Sequence, residues 1–565
     1  MSFYEWRNGM KKTKLIGTAA LFLSGMLVFA GCGRKNDSMQ QASQTAAASA
    51  ADTQEQTEDL KVLHAAWVTD MQTMDVHKTT NNYSIPQNVF DRLLEVKLNE
   101  DGTTQLVNSL ASDYTVSEDG LTYSFTLRDD VKFSDGTPLT SDDVLFTFTR
   151  MFTLPESVQT DFTTVIKGAQ AVLDHEAETL EGIHVIDDTH FEILLEQPFA
   201  GFLAVLATPT CSIMSRANVE SAGDDFGLVP EKTIGSGPYK VTQWTLNSSV
   251  TLERNPFYWG TPASADIVEI RIYPEASSLN MAFKNGDVDI LDCEFIDASI
   301  ANAEYVSNNN YRIVSVNRMG SDYLTFNEDI APLDNLQVRR AIQMAIDRQS
   351  IIDSLFNGNA SLIDGIYPVG AIGFTEENQG WLVYDPAQAK ELLAEAGYAD
   401  GFDLELSKNA AGGEYRGQVL EIVQQNLEAV GINARIVTYD ESSWLDLRKS
   451  GEMPMFTATW TLDYNDPSNI IEAFFSSPET VRNRSLNYKD EAVMERIREA
   501  RSIVNEEERL AEYAALEKKI VQEDAAWVPL YSPQQHMFVL SDRVESFTPH
   551  WAGFSDFAFA GVTMK

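Results

Sequence analysis

Seven histidines (His64, His77, His175, His184, His190, His536, His550), three cysteines and 84 acidic side chains are what this 565-residue chain could bring to chemistry. Their spacing decides what they can do. No two histidines stand in an HExxH or similar close pair, the arrangement that aims two imidazoles at one metal. His184 and His190 lie six apart in a strand-like stretch, and only a fold that also delivered His175 would make three ligands of them. There is no GxSxG elbow and no GxxxxGK[ST] phosphate loop. Gly235-Ser236-Gly237 is followed by Pro238, which lacks the N–H that a phosphate cradle would use. Ala411-Gly412-Gly413 reads as loop punctuation. Acidic neighbours such as Asp142/Asp143 and Asp224/Asp225 are expected by chance at this acidic content, so no glycosidase pair stands out. The sequence gives catalysis no positive support. It reads as a non-enzyme with no cofactor and no metal site. Cys211 and Cys293 sit far apart in sequence with no CxxC; two buried free thiols are expected, with pairing left open.

Bulk properties narrow the class. The formal charge of -42 argues against nucleic acid, whose phosphates would be repelled, and against flat adsorption on anionic lipid. A hydrophobic content of 44% with 10% aromatics belongs to a well-packed globular protein. The chain is too long for one core and should divide into two or three lobes.

The elements that would position any site mix strands and helices, without the strict alternation of one parallel sheet. Leu60 to His64, Tyr123 to Leu127, Asp266 to Tyr273 and Tyr311 to Val316 have strand patterns. Phe133 to Pro138 reads as a turn. Thr140-Ser141-Asp142-Asp143 then caps a helix starting near Val144, because hydroxyl and carboxylate side chains accept the free N–H groups of a first turn. Val338 to Asp347 has helical spacing. Asp385-Pro386 opens a helix, Ala387 to Ala396, that Gly397 stops. Asp490 to Ile503 and Glu506 to Val521 carry apolar stripes at helical spacing, which mark core faces.

At the N-terminus, Lys11, Lys12 and Lys14 lead into an uncharged run from Leu15 to Gly31 that ends in Ala30-Gly31-Cys32. The run is short for a bilayer span, which needs about 20 apolar residues. It fits a secretory signal. The cysteine after Ala-Gly resembles the lipobox of bacterial lipoproteins, with Phe29 where leucine is commonest. That resemblance implies a signal at 1–31, a lipid on Cys32 and a body outside the cytoplasm, anchored to the outer face of the bacterial cell membrane. Residues 32–58 are rich in Gln, Ala, Ser and Thr and read as a tether.

Several longer segments, in order, resemble one family. They are Tyr123 to Arg150 (YSFTLRDDVKFSDGTPLTSDDVLFTFTR), Ile234 to Val241 (IGSGPYKV), Leu252 to Gly260 (LERNPFYWG) and Val338 to Asp347 (VRRAIQMAID). Tyr384 to Gly397 (YDPAQAKELLAEAG), Thr459 to Pro467 (TWTLDYNDP) and Ala525 to Tyr531 (AAWVPLY) complete the set. On these blocks the chain is identified as a member of the extracytoplasmic solute-binding proteins of family 5, the peptide-binding subunits of bacterial ABC importers. The resemblance implies an α/β, two-lobed periplasmic-binding-protein-like fold (class II, cluster C type) with an extra subdomain and two hinge crossings. Lobe I would span 59–310, with the subdomain at about 111–228. Lobe II would span 311–528, and 529–565 would return to lobe I. The hinges fall near Ile313 to Phe326 and near Trp527 to Tyr531.

It also implies a monomer that captures a short peptide and hands it to an ABC permease. Asp463 stands where peptide-binding relatives place the aspartate that pairs with the peptide N-terminus, with Trp460, Thr461 and Tyr464 around it. Arg448 matches an arginine lining the cleft and would meet the carboxylate end. Some relatives have a second such arginine where this chain has Thr457, so the carboxylate anchor stays open. In lobe I, Thr80 and Asn82 occupy contact positions, Asn247 is a further contact, and Gly320 lies on the crossing strand that supplies backbone partners. Other members of the family carry nickel chelates, haem or oligosaccharides. An extracellular hydrolase or a ligand sensor is the rival class.

Overall fold

The computed structural model describes residues 60–565 apart from 80–82, 159, 297, 412–413, 534 and 552–557. The signal at 1–31, Cys32 and the tether therefore lie outside the described residues, as do Thr80 and Asn82.

Lobe I opens with β1 (Val62–Trp67), followed by the hairpin β2 (Leu94–Leu98) and β3 (Thr104–Asn108). The subdomain comes next: β4 (Ala111–Val116), β5 (Thr122–Leu127), β6 (Ile183–Val185) and β7 (His190–Leu194) form an antiparallel sheet in the order β4-β5-β7-β6. Its helix, Ser141–Thr153, starts on a capping box in which the Thr140 N–H donates to the Asp143 carboxylate at 3.0 Å. The chain then returns through β8 (Tyr239–Thr245), β9 (Ser249–Arg254) and β10 (Ile267–Ile272), and β10 pairs in parallel with β1. β11 (Ile290–Asp292) and β12 (Arg312–Val316) flank a strand that arrives only near the C-terminus.

Lobe II holds β13 (Gly320–Thr325), β14 (Ser361–Leu362), the parallel pair β15 (Phe402–Asn409) and β16 (Ile432–Tyr439), β17 (Thr457–Thr461) and β18 (Trp527–Ser532). Its main sheet runs β14-β18-β13-β17. The helices around it begin where local chemistry dictates. Asp385 caps Pro386–Glu395, with proline at the position that needs no N–H, and Gly397 ends it at φ +91°. Asp490 caps Glu491–Ala500, and Asn505 caps Glu506–Lys518. β19 (His536–Leu540) carries the chain back into lobe I between β11 and β12, and β20 (Val544–Phe547) pairs with β21 (Val562–Met564).

Two features differ from the expected layout. β12 belongs to the lobe I sheet, so the first crossing is at residues 317–319, and the second lies between Ser532 and His536. Both fall later than the boundaries of 311 and 528. The crossings are tied to each other, since Gln535 Nε2 donates to Asn317 Oδ1 at 3.0 Å. One short lobe I segment holds both: Asp292 meets His536 at 2.8 Å, and Glu294 pairs with Arg318. The second difference is the subdomain, which is threaded through lobe I yet shares a hydrophobic core with lobe II. Tyr464 of lobe II packs edge-on against Phe162 at 5.1 Å and Phe199 at 6.1 Å. Arg501 lies over Phe199 at 4.3 Å while its carbonyl accepts the Ala200 N–H. Among the described residues no helix is long and apolar enough to cross a membrane.

Candidate functional site

β17, Thr457-Ala458-Thr459-Trp460-Thr461, alternates threonine with apolar residues, the pattern of a strand with two unlike faces. It is the last strand of its sheet and pairs antiparallel with β13 from Gly320↔Thr461 to Leu324↔Thr457. Along such a pair successive residues send their backbone groups to opposite sides. The Leu462 N–H donates to Met319 O at 2.8 Å and the Thr325 N–H to Phe456 O at 3.0 Å, which fixes the phase. Ala458 and Trp460 therefore bond to β13, while Thr457, Thr459 and Thr461 turn theirs to the outer edge. Among the described residues that edge meets another strand only at the bridge Ser407↔Phe456. An edge of this kind is a template for another extended chain.

Asp463 follows two residues after the strand. Its carboxylate accepts one long hydrogen bond, from Asn469 Nδ2 at 3.4 Å, and has no ion-pair partner among the described residues. Asn469 holds the local geometry, since its Oδ1 accepts from Trp460 Nε1 at 2.9 Å and from the Asp463 N–H at 3.3 Å. Burial pushes the Asp463 carboxyl up to about 6, against smaller opposing pulls from Asn469 and the more distant Arg484. Arg484 does not neutralise it. That guanidinium lies over the Trp460 ring at 4.9 Å and over Phe474 at 4.8 Å.

The remaining residues named from the sequence are spread more widely. Trp460 is 1% exposed, packed edge-on against Phe474 at 5.2 Å, so its ring lies in the core beneath the edge and not along it. Tyr464 is likewise buried, against the subdomain, with its hydroxyl 3.2 Å from Ser468 Oγ. Thr461 is half-buried at the end of the edge, opposite Gly320. A Cβ on Gly320 would stand 3.0 Å from the Trp460 carbonyl, so a side chain there would push against β17. Arg448, half-buried in the last turn of the helix Glu441–Ser450, acts on Arg484; burial first, then that like charge, bring the Arg484 guanidinium down to about 10. Asn247 is in the β8–β9 hairpin turn of lobe I at φ +56°, exposed, with its N–H on Asp70 at 2.6 Å. None of its described hydrogen bonds reaches the lobe II group. The segment leading to Thr80 and Asn82 is anchored by Asp75, which pairs with Arg150 at 2.7 Å, and by His77, whose Nδ1 accepts from Arg150 at 3.0 Å. Burial, with help from Arg150, drives the His77 imidazole down to about 3, so it stays neutral.

Asp322 is the residue that sequence reasoning missed. It lies directly across from Thr459, whose Oγ1 donates to its carboxylate at 2.6 Å, and it is 2% exposed. Burial pushes its carboxyl up to about 6, opposed first by the Thr459 bond and then by Arg416. The signal available was a lone carboxylate inside the strand Gly320–Thr325, all of whose residues are buried. One half-satisfied carboxylate, Asp463, thus stands just past the end of the open strand edge, and a second, Asp322, is buried one strand in from it. Among the described residues no three His, Cys, Asp or Glu side chains group closely enough to hold a metal ion. Cys211 and Cys293 are free and buried, and burial pushes both thiols up to about 12.

Comparison with known proteins gives a consistent assignment. The family model described as bacterial extracellular solute-binding proteins, family 5 middle, matches residues 105–481. The chain is 30% identical to the dipeptide-binding protein of Escherichia coli (strain K12) over 411 residues, covering 70% of this chain and 74% of the relative. It is 27% identical to the heme-binding protein A of Haemophilus influenzae over 493 residues, covering 85% and 87%. A solved structure of a periplasmic murein tripeptide binding protein in its unliganded open form shares the fold, with a TM-score of 0.79 at 23% identity over 90% of this chain and 98% of that one.

Proposed function

The chain belongs to the bacterial extracellular solute-binding proteins, family 5, and from that premise we propose that it captures short peptides for an ABC importer. An extended peptide brings unpaired N–H and C=O groups and a charged amino end. The outward backbone of Thr459 and Thr461 would pair with the former, which gives affinity without sequence preference. Asp463 would take the latter. The observation that carries this reading is a half-buried carboxylate, with no ion-pair partner among the described residues, at the end of an open strand edge. Closure of the lobes over the peptide would use the crossings at 317–319 and between Ser532 and His536, and it follows only if the ligand touches both lobes.

Titration calorimetry with free and N-acetylated peptides of two to five residues tests this. Acetylation removes the charge that Asp463 is to meet, and an unpaired buried charge costs about 3–5 kcal/mol, several hundred-fold in affinity. Equal affinities for the two forms would overturn the assignment. Haem or a metal chelate retained through mild purification, in place of peptide, would move the ligand to another class within the family.

The membrane arrangement belongs to the same reading. A lipid on Cys32 and a tether of some two dozen residues would keep the binding body beside the permease. Cys32→Ser is expected to shift the protein from the detergent phase to the aqueous phase in a partitioning assay and to release it from cells. Unchanged partitioning would count against lipidation.

A further inference from the structure

The turn that follows Asp463 carries a residue that peptide capture leaves unused. Asn465 is 0% exposed, and the two ends of its amide are spent on different lobes. Its Oδ1 accepts the Ile372 N–H of a lobe II loop at 2.9 Å. Its Nδ2 donates to Thr104 Oγ1 of lobe I at 2.6 Å. The Thr104 hydroxyl in turn donates to Gly370 O of the same lobe II loop at 2.8 Å. Three hydrogen bonds thus close a ring that runs from lobe II into lobe I and back. Loss of one member leaves a buried neighbour unpaired, so the ring holds or fails as a unit.

The ring has firm footings on both sides. Thr104 opens β3 beside the turn of the β2–β3 hairpin, and that turn lies against the lobe II loop: a Cβ on Gly370 would stand 2.5 Å from Gly102 O. On the lobe II side the Asp463 N–H donates to Asn469 Oδ1 at 3.3 Å, and the Asn469 N–H donates to Asp466 O at 3.0 Å. Asp466 is itself held by Arg509 at 2.6 Å and by the Ser468 N–H at 3.0 Å. Asp463 and Asn465 therefore belong to one hydrogen-bonded turn. A packed, bonded element of this kind passes a displacement at one end to the other.

We infer that Asn465 and Thr104 are the coupler through which lobe I senses the ligand's amino end. An ammonium on Asp463 fixes the turn, the turn fixes the ring, and the ring biases lobe I towards closure. The inference rests on the peptide reading above for the ammonium. It adds that closure, and not affinity alone, depends on that end. A peptide with a blocked amino end still pairs along β17 but leaves the turn unloaded, so selection at closure adds to selection at binding.

Calorimetry on a mutant cycle tests it. Thr104→Val keeps the shape of the side chain, removes both of its hydrogen bonds, and lies in the other lobe from Asp463. It is expected to weaken free peptide about tenfold, to leave the N-acetylated form unaffected, and to add nothing in the Asp463→Asn background. Thr104→Ser, which keeps the hydroxyl, is expected to restore the parent affinity. A merely structural role would lower the unfolding midpoint and weaken both peptide forms by the same factor. Equal factors, or no effect on either form, would overturn the inference. A parent protein without an acetylation penalty would remove the peptide reading instead, so the two failures are distinct. Small-angle X-ray scattering needs no variant. At saturation the free peptide is expected to lower the radius of gyration, and the N-acetylated peptide to leave it at the value of the protein alone. Equal contraction with both forms would overturn the inference.

Discussion

Asp463→Asn is expected to lower peptide affinity several hundred-fold while raising the stability of the empty protein. The two effects share one cause. In the folded chain burial holds the Asp463 carboxyl at about 6, against about 3.9 in an unfolded chain. The folded state therefore binds this proton more tightly. Stability from this group is greatest below pH 4, declines as the pH rises towards about 6, and changes no further above it. At pH 7 the charged form costs on the order of 1–3 kcal/mol, discounted for the side chain's partial exposure. Asparagine keeps the shape and removes that cost, so calorimetric melting should show a higher Tm for the variant at pH 7 and little difference at pH 4. Asp322 carries a similar raised carboxyl, but the difference between the two proteins isolates Asp463. Binding runs the other way: below pH 6 the protonated acid no longer meets an ammonium, and affinity of the unmutated protein should fall by up to tenfold per pH unit. The variant should show a shallower profile. A variant with unchanged affinity and a lowered Tm would make Asp463 a structural turn residue and remove the amino-end anchor.

Local elements were legible in the sequence where short-range chemistry sets them. Thr140 and Asp143 fix a helix start through their own hydrogen bonds, and Asp385-Pro386 and Gly397 bound another, so these boundaries appear within a few residues of where they were read. The crossings were less legible, because Arg312–Val316 reads the same whichever sheet it joins. Its assignment depends on β19, more than two hundred residues later. Asp463 was singled out in the sequence through its resemblance to relatives, whereas the placing of Arg484 was not legible, since nothing in the spacing says that the guanidinium stacks on Trp460.

Trp460 gives the second large effect, and here the structure separates two roles that the sequence left together. A tryptophan that walls a ligand would be partly exposed, and its loss would cost affinity with stability intact. This one is 1% exposed and lies among Phe474, Arg484 and Asn469. Truncation would open a cavity the size of an indole in the sheet's core. Trp460→Ala is therefore expected to destabilise by about 3–5 kcal/mol, read as a fall in urea midpoint with an unchanged slope. Trp460→Phe keeps most of the packing and removes the Nε1 donor to Asn469, so it should cost only about 1–2 kcal/mol. Because Asn469 also orients Asp463, the phenylalanine variant should lose affinity by a modest factor, well short of the loss in Asp463→Asn. Denaturant unfolding and calorimetry on the same preparations check both. If Trp460→Phe proves as stable as the parent and binds as poorly as Asp463→Asn, the ring contacts ligand directly and the edge of β17 is more open in solution than its packing implies.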